Sequence, residues 1–123
     1  MSIEIIPGVA IGTVRLGMPR RELPTGVTIQ RDAGVLEGVH FLLDNDVVDE
    51  IWIEDLRTLG REVKYKGQRI DGQASLEQLQ EIFGPCAAPE EVLGGTRIAC
   101  ASGVQLGIAS DGPTTSIQVR LRR

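Results

Sequence analysis

Aromatic side chains are scarce in this chain of 123 residues, which has one tryptophan, one tyrosine, two phenylalanines and a single histidine, His40. Any acid–base or nucleophilic mechanism that uses histidine must therefore use His40. No serine or cysteine near His40 in the sequence forms a recognisable motif with it, and the common zinc geometries need a second histidine. We therefore expect no catalytic residue, no metal site and no cofactor.

Long apolar runs and dense basic clusters are also lacking. No apolar run approaches the ~20 residues of a membrane span, and the first residues lack the basic and apolar regions of a signal peptide. The formal net charge is −4, and the largest basic group is the terminal segment 120–123, which argues against nucleic acid as the main partner. These absences predict a cytoplasmic protein that binds neither membranes nor nucleic acid.

Cysteine is rare as well, with only Cys86 and Cys100 in the chain. Two cysteines at this spacing do not form a CxxC-type metal site. Cys100 is in phase with Ile98, which we expect to face the core. We therefore expect buried thiols, with a bridge between the two cysteines only if the chain meets an oxidising compartment.

Helical signals occur at two places. Apolar residues recur at helical spacing over Ser75–Phe83. Ser75 and Gln78 form a capping-box pattern at the start of this segment, and Gly84-Pro85 predicts a left-handed stop at its end. A second, shorter helix is predicted over residues 17–24, where Pro19 suits the first helical position.

Alternating apolar and polar residues predict antiparallel strands over much of the remaining chain. The predicted strands are 38–43, 47–54, 96–101, 104–109 and 115–121, with short strands near 10–15 and 27–31. Polar turns are predicted at 44–46, 101–103 and 110–113. The sequence therefore predicts a single α+β domain, residues 1–123, in which two short helices pack on one face of an antiparallel sheet.

An internal repeat is suggested by two segments that align without a gap. Residues 41–53 and 107–119 match at an offset of 117 − 51 = 66, and a short helical segment precedes each. Each half contains a helix followed by a meander of about three strands, and neither half could bury its apolar faces alone. We therefore predict a tandem pseudo-repeat with halves at about 8–55 and 63–121.

The segments "LGMPRRELPTG" and "ASLEQLQEIFGPC", each followed by a meander, carry a family resemblance. They resemble the tandem helix-plus-sheet modules of the beta-lactamase-inhibitor-protein-like group and, in single copy, the SmpA/OmlA small lipoproteins. The chain departs from these in having no lipobox cysteine near its start and in carrying both cysteines in its second half. The resemblance implies a binding module whose exposed sheet face holds a protein partner, as in an inhibitor or an immunity-type protein.

The strand at 47–54 predicts where such a partner would bind. Ile51 and Ile53 point to one face, so Trp52 points to the other together with Glu50 and Glu54. Strand phasing places further residues on the Trp52 face, and tryptophan and arginine are the types that most often carry protein–protein binding energy. The predicted partner-binding residues are Trp52, His40, Leu42, Arg97, Gln118 and Arg120.

Three alternatives remain open for these residues. Trp52 could be covered by the segment 85–95, or it could lie in a homodimer contact. The runner-up function is a small-ligand-binding or enzymatic domain with a cleft near His40. The acidic residues between 44 and 55 lack the glycine and glutamate spacing of an EF-hand, so we interpret them as a solvated hairpin.

Overall fold

The computed structural model describes residues 2–92, 95–111 and 114–123. The first part of the chain forms β1 (Ser2–Ile6), β2 (Ala10–Ile11), β3 (Val14–Arg15), β4 (Thr28–Gln30), β5 (Ala33–Leu36), β6 (Val39–Asp44) and β7 (Val47–Ile53). The second part forms β8 (Glu62–Tyr65), β9 (Gln68–Ile70), α1 (Leu76–Phe83), β10 (Glu90–Val92), β11 (Gly95–Ala99), β12 (Gln105–Asp111) and β13 (Thr114–Arg122). The described chain is therefore mainly β.

The strands form two sheets. The larger sheet has the order β10-β11-β12-β13-β7-β6-β5-β4, and all of its neighbours are antiparallel. The smaller sheet has the order β3-β2-β1-β8-β9, in which β1 and β8 run parallel. One hydrophobic core draws residues from both sheets and from α1, including Ile5, Phe41 and Phe83. The larger sheet therefore has one face on the core and one facing outward.

Local turn chemistry explains the central hairpin of β6 and β7. Its two-residue turn is Asn45-Asp46, and both residues have positive φ, 53° and 61°. This is the requirement of a type I′ turn, and asparagine and aspartate tolerate it well. The predicted hairpin, with its polar turn at 44–46, is confirmed.

The prediction of an α+β fold with two helices on one face of a sheet is wrong. The described residues contain a single α-helix, α1, and two sheets. The second predicted helix is a 3-10 turn, Arg20–Glu22. Pro19, just before the turn, is extended (φ −66°, ψ 149°). Leu23, just after the turn, is also extended, because a residue that precedes a proline is disfavoured in the helical region. The two prolines thus leave room for one turn only.

The helix at 76–83 is confirmed together with its capping box. The Ser75 hydroxyl accepts from the Gln78 backbone N–H at 3.2 Å, and the Gln78 side chain accepts from the Ser75 backbone N–H at 2.8 Å. The predicted left-handed stop is wrong, since Gly84 is extended (φ −75°). The Gly84–Pro85 peptide bond is cis.

The expectation of free thiols is also wrong, because Cys86 and Cys100 form a disulfide. Two backbone hydrogen bonds flank it, from Ala87 to the Ala99 carbonyl and from Ala101 to the Pro85 carbonyl, each 2.8 Å. The disulfide therefore joins the segment after α1 to the end of β11. Disulfides persist in oxidising compartments, and the cytoplasmic location stays a prediction.

Strand predictions succeeded where the alternation was long. The predicted strands at 38–43, 47–54, 96–101, 104–109 and 115–121 correspond to β6, β7, β11, β12 and β13. The short strands β1, β5, β8, β9 and β10 were not predicted. In the predicted turn at 110–113, Gly112 and Pro113 lie outside the described residues.

The strand order bears on the predicted repeat. The meanders β4 to β7 and β10 to β13 lie side by side and meet where β7 pairs with β13. A duplicated chain would produce this order, and the internal repeat stays a prediction. Among the described residues, no helix is both long enough and apolar enough to cross a membrane.

Candidate binding face

The outward face of the larger sheet carries all six residues that the sequence analysis selected. Trp52 on β7 lies between His40 on β6 and Arg120 on β13, and is directly opposite each of them. Gln118 on β13 and Arg97 on β11 both stand opposite Gly107 on β12. Leu42 completes the set beside Glu50 and is 37% exposed. We call this surface, defined by His40, Leu42, Trp52, Arg97, Gln118 and Arg120, the outer face.

Trp52 is fixed by three neighbours. The His40 ring stacks on it, with centroids 5.5 Å apart and an interplanar angle of 17°. The Arg120 guanidinium carbon lies 4.8 Å from the centroid of the indole, a cation–π geometry worth about 0.5–2 kcal/mol. The Trp52 indole N–H donates to Glu54 at 2.9 Å. The half-buried indole therefore has a defined orientation while it remains on the surface.

Glu50 organises the arginines next to this stack. Its side chain is only 8% exposed and accepts a hydrogen bond from Arg120. The Arg122 Nε lies 3.4 Å from the same carboxylate oxygen. Since a buried carboxylate is costly unless it is paired, Glu50 depends on these two arginines of β13. It also holds Arg120 in place for Trp52.

A cavity of about 290 Å³ lies on the same face, between β11, β12 and β13. Its lining includes Arg97, Gln118 and Arg120 of the outer face. A second cavity, of about 140 Å³, lies between β1, β2 and β3 and the segment from Leu36 to Val39. His40 lines neither of these two cavities, so neither supplies the cleft near His40 that the runner-up function requires.

The segment that could have covered Trp52 lies elsewhere. Its residues 90–92 form β10, an edge strand of the larger sheet, and Gly95 begins the neighbouring strand β11. Three strands separate β10 from β7, the strand that carries Trp52. Residues 93 and 94 lie outside the described part of the chain. The partners of Trp52 within the described residues are His40 on β6, Arg120 on β13 and Glu54 just after β7.

The acidic residues between 44 and 55 are dispersed rather than gathered. Asp46 pairs with Arg20, Asp49 with Arg123, and Asp55 accepts from the Ile117 backbone N–H at 3.3 Å. Within the ranges that the structure describes, no group of three or more His, Cys, Asp and Glu side chains could hold a metal ion. These carboxylates serve as ion-pair and turn partners.

Two residues of this face were missed as contributors, Glu50 and Arg122. Strand phasing predicted Glu50 on this face without a role, and the last strand was predicted to end at residue 121. The alternation of Gln118 and Arg120 continues to Arg122. This pattern indicates a strand that ends at 122 rather than at 121. Comparison of the chain with protein-family models, with curated proteins and with solved structures found no match.

Proposed function

We propose that this protein is a non-catalytic binding module that holds a protein partner against the outer face. The observation that carries the proposal is the stack of His40, Trp52 and Arg120 beside the exposed Leu42. Tryptophan and arginine dominate the hot spots of protein interfaces. An antiparallel sheet can leave one face available for such contacts while the other covers the core.

Preorganisation supports the same proposal. Ordering a mobile side chain at an interface costs about 0.5–1.5 kcal/mol. Trp52 is already oriented by His40, by Arg120 and by its hydrogen bond to Glu54. A partner that contacts the indole therefore avoids most of this cost, which favours Trp52 as the centre of the contact.

An inhibitor or immunity-type role toward another bacterial protein is the finer form of the proposal. It is supported by the resemblance of residues 16–26 and 74–86 to the beta-lactamase-inhibitor-protein-like modules, and by the small size and net negative charge of the chain. In that role the protein would occupy a surface of its target and block it.

The test is affinity capture from cell lysate and culture medium with four immobilised proteins: the wild type, Trp52→Ala, Leu42→Asp and Ile6→Asp. Ile6 is the matched control, because it is a 44% exposed apolar residue on β1 of the smaller sheet. We expect the wild type and the control to recover the same protein. The two outer-face variants should recover at least about tenfold less, as for a hot spot.

Equal recovery of that protein by all four would contradict the proposal. Sedimentation of the free proteins addresses the homodimer alternative. If the wild type is a dimer that Leu42→Asp converts into a monomer, the outer face is a self-contact and the proposal of a separate protein partner is wrong.

A further inference from the structure

The 290 Å³ cavity beside Trp52 lies at the lower limit of pockets for drug-sized ligands, which span about 300–1,000 Å³, so it has room for a side chain of a partner. Gly107 is part of its lining. A Cβ added at Gly107 would make an ordinary contact, 3.4 Å, with Oε1 of Gln118. We call it the arginine cavity, after Arg97, Arg120 and Arg122 in its lining.

Every charged residue in the described lining of the arginine cavity is an arginine. Two carboxylates contact these arginines from neighbouring strands. Glu90 Oε2 lies 3.2 Å from Nη2 of Arg97, and Glu50 pairs with Arg120 and Arg122. Three positive and two negative charges leave a local charge of +1, although the whole chain carries −4.

The arginines keep donors for a ligand. The Arg122 side chain is 54% exposed, and its two terminal nitrogens form no hydrogen bond with the described residues. Arg97 uses one terminal nitrogen for Glu90 and leaves the other one and Nε without a partner in the same part of the chain. The free donors of this wall therefore belong to Arg97 and Arg122.

We propose that the arginine cavity receives an aspartate or glutamate side chain of the protein partner, an inference that rests on the proposed function. A guanidinium group presents a planar set of donors that matches a carboxylate. The local charge of +1 matches one carboxylate, whereas a phosphate monoester carries about −1.5 to −2 at neutral pH.

Arg120 connects the arginine cavity to the outer face. Its guanidinium group lies over the Trp52 ring, and the same residue lines the cavity. Only the Arg120 side chain therefore separates a partner residue on the indole from the cavity. The cavity and Trp52 therefore belong to one interface. In it, the acidic residue of the partner lies beside the partner residue that contacts Trp52.

The probe for this site is N-acetyl-glutamate N-methylamide, which presents one side-chain carboxylate and no charged termini. Its matched control is N-acetyl-glutamine N-methylamide. Binding is followed by the NMR signals of the arginine Nε–H groups. We expect saturable shifts of the Arg120 and Arg122 signals with the glutamate compound at millimolar concentrations. The glutamine compound should leave them unchanged.

Two variants should change this affinity in opposite directions. Glu50→Gln removes a negative charge and raises the local charge from +1 to +2, so the probe should bind up to about fivefold more tightly, the effect of a good exposed ion pair. Arg122→Gln should weaken binding by a similar factor. Arg15→Gln, an exposed arginine on β3 of the smaller sheet, is the control and should leave binding unchanged. Glu50 is buried, so Glu50→Gln lowers the stability of the fold. Arg122 is exposed, so Arg122→Gln still tests the site if the Glu50 variant does not fold.

The outcomes separate this inference from the proposed function. If the glutamine compound shifts the same signals equally, or if inorganic phosphate binds more tightly than the glutamate compound, the carboxylate assignment is wrong. If Arg122→Gln leaves binding unchanged, the arginine cavity is not the site. Either result leaves partner capture through Trp52 and Leu42 intact. Conversely, probe binding without any effect of Trp52→Ala or Leu42→Asp on capture would refute the proposed function and retain the site.

Discussion

Gly34 has no side chain, and this leaves room in the core for the ring of Phe41. It lies directly opposite Phe41 in the pairing of β5 and β6. Phe41 is fully buried, and its ring occupies the space that a side chain at position 34 would need. Covering a strand glycine with a cross-strand aromatic ring is a known way to complete a sheet. The identity of residue 34 is therefore a packing requirement.

We expect Gly34→Ala to lower the free energy of unfolding by about 1–3 kcal/mol, as overpacking of a core does. The new Cβ would lie 2.7 Å from Cε2 of Phe41, so the ring must move. The measurement is urea unfolding of both proteins. The control is the same substitution in a Phe41→Leu background, where the loss should be smaller because the ring is absent. Equal losses in the two backgrounds would show that Phe41 is not the cause.

At the same scale, the phase of individual side chains could be predicted, but their ion pairs could not. Alternation alone placed Trp52 and Arg120 on one face, because successive strand residues point to opposite sides. The pairing of Glu50 with Arg120 joins residues 70 positions apart. It depends on β13 inserting next to β7, and no local pattern encodes this neighbour relation.

The 3-10 turn Arg20–Glu22 connects several elements through one side chain. The Arg20 Nε and one terminal nitrogen contact Asp46 at 3.0 Å and Asp32 at 3.1 Å. The other terminal nitrogen donates to the Arg31 carbonyl at 3.1 Å. Asp32 belongs to the turn between β4 and β5, and Asp46 to the turn between β6 and β7. Arg20 therefore ties two adjacent hairpin turns together.

We expect Arg20→Ala to lower the free energy of unfolding by about 1 kcal/mol, because exposed ion pairs each contribute about 0.2–1 kcal/mol. The matched control is Arg21→Ala on the same turn, because Arg21 is exposed and forms no ion pair with the described residues. Chemical denaturation in urea at low and high salt gives the comparison. The difference between the variants should shrink at high salt, when the ion pairs are screened. A salt-independent difference would exclude an electrostatic cause.

Elements were predictable in proportion to their local signals. Helix α1 has an N-cap, a capping box and an apolar face within ten residues, and its position was predicted correctly. β1 and β8 have five and four residues and are held by pairing with each other across the chain. Such pairing is decided by tertiary context, so their sequences alone did not distinguish them from loops. This is why β1, β8 and β9 of the smaller sheet were not predicted, whereas β2 and β3 lie in the segment near 10–15 that was predicted as a strand.

For the whole molecule, the disulfide is the main covalent constraint. Cys86 and Cys100 are 14 residues apart, and closing a loop of this size removes about 3 kcal/mol of chain entropy from the unfolded state. We expect reduction to lower the free energy of unfolding by about that amount without unfolding the protein. The backbone hydrogen bonds that Ala87 and Ala101 donate on either side of the disulfide do not depend on the sulfur atoms, and we expect them to hold the two segments together after reduction.

The measurement is urea unfolding with and without reductant. The control is the double variant Cys86→Ser/Cys100→Ser, which should match the reduced wild type and should not respond to reductant. If the wild type is equally stable under both conditions, the disulfide does not constrain the unfolded chain. A response of the double variant would reveal an effect of the reductant unrelated to the cysteines.

The pairing of β7 with β13 also has a consequence for biosynthesis. During translation, the hairpin of β6 and β7 can form as soon as Ile53 has left the ribosome, but its second edge has no neighbour until Thr114–Arg122 have been made. At roughly 5–20 residues per second, the nascent chain presents this open edge for several seconds. Unpaired strand edges of this kind invite association with other chains. We therefore expect the nascent protein to need a chaperone until β13 has been synthesised and has paired with β7.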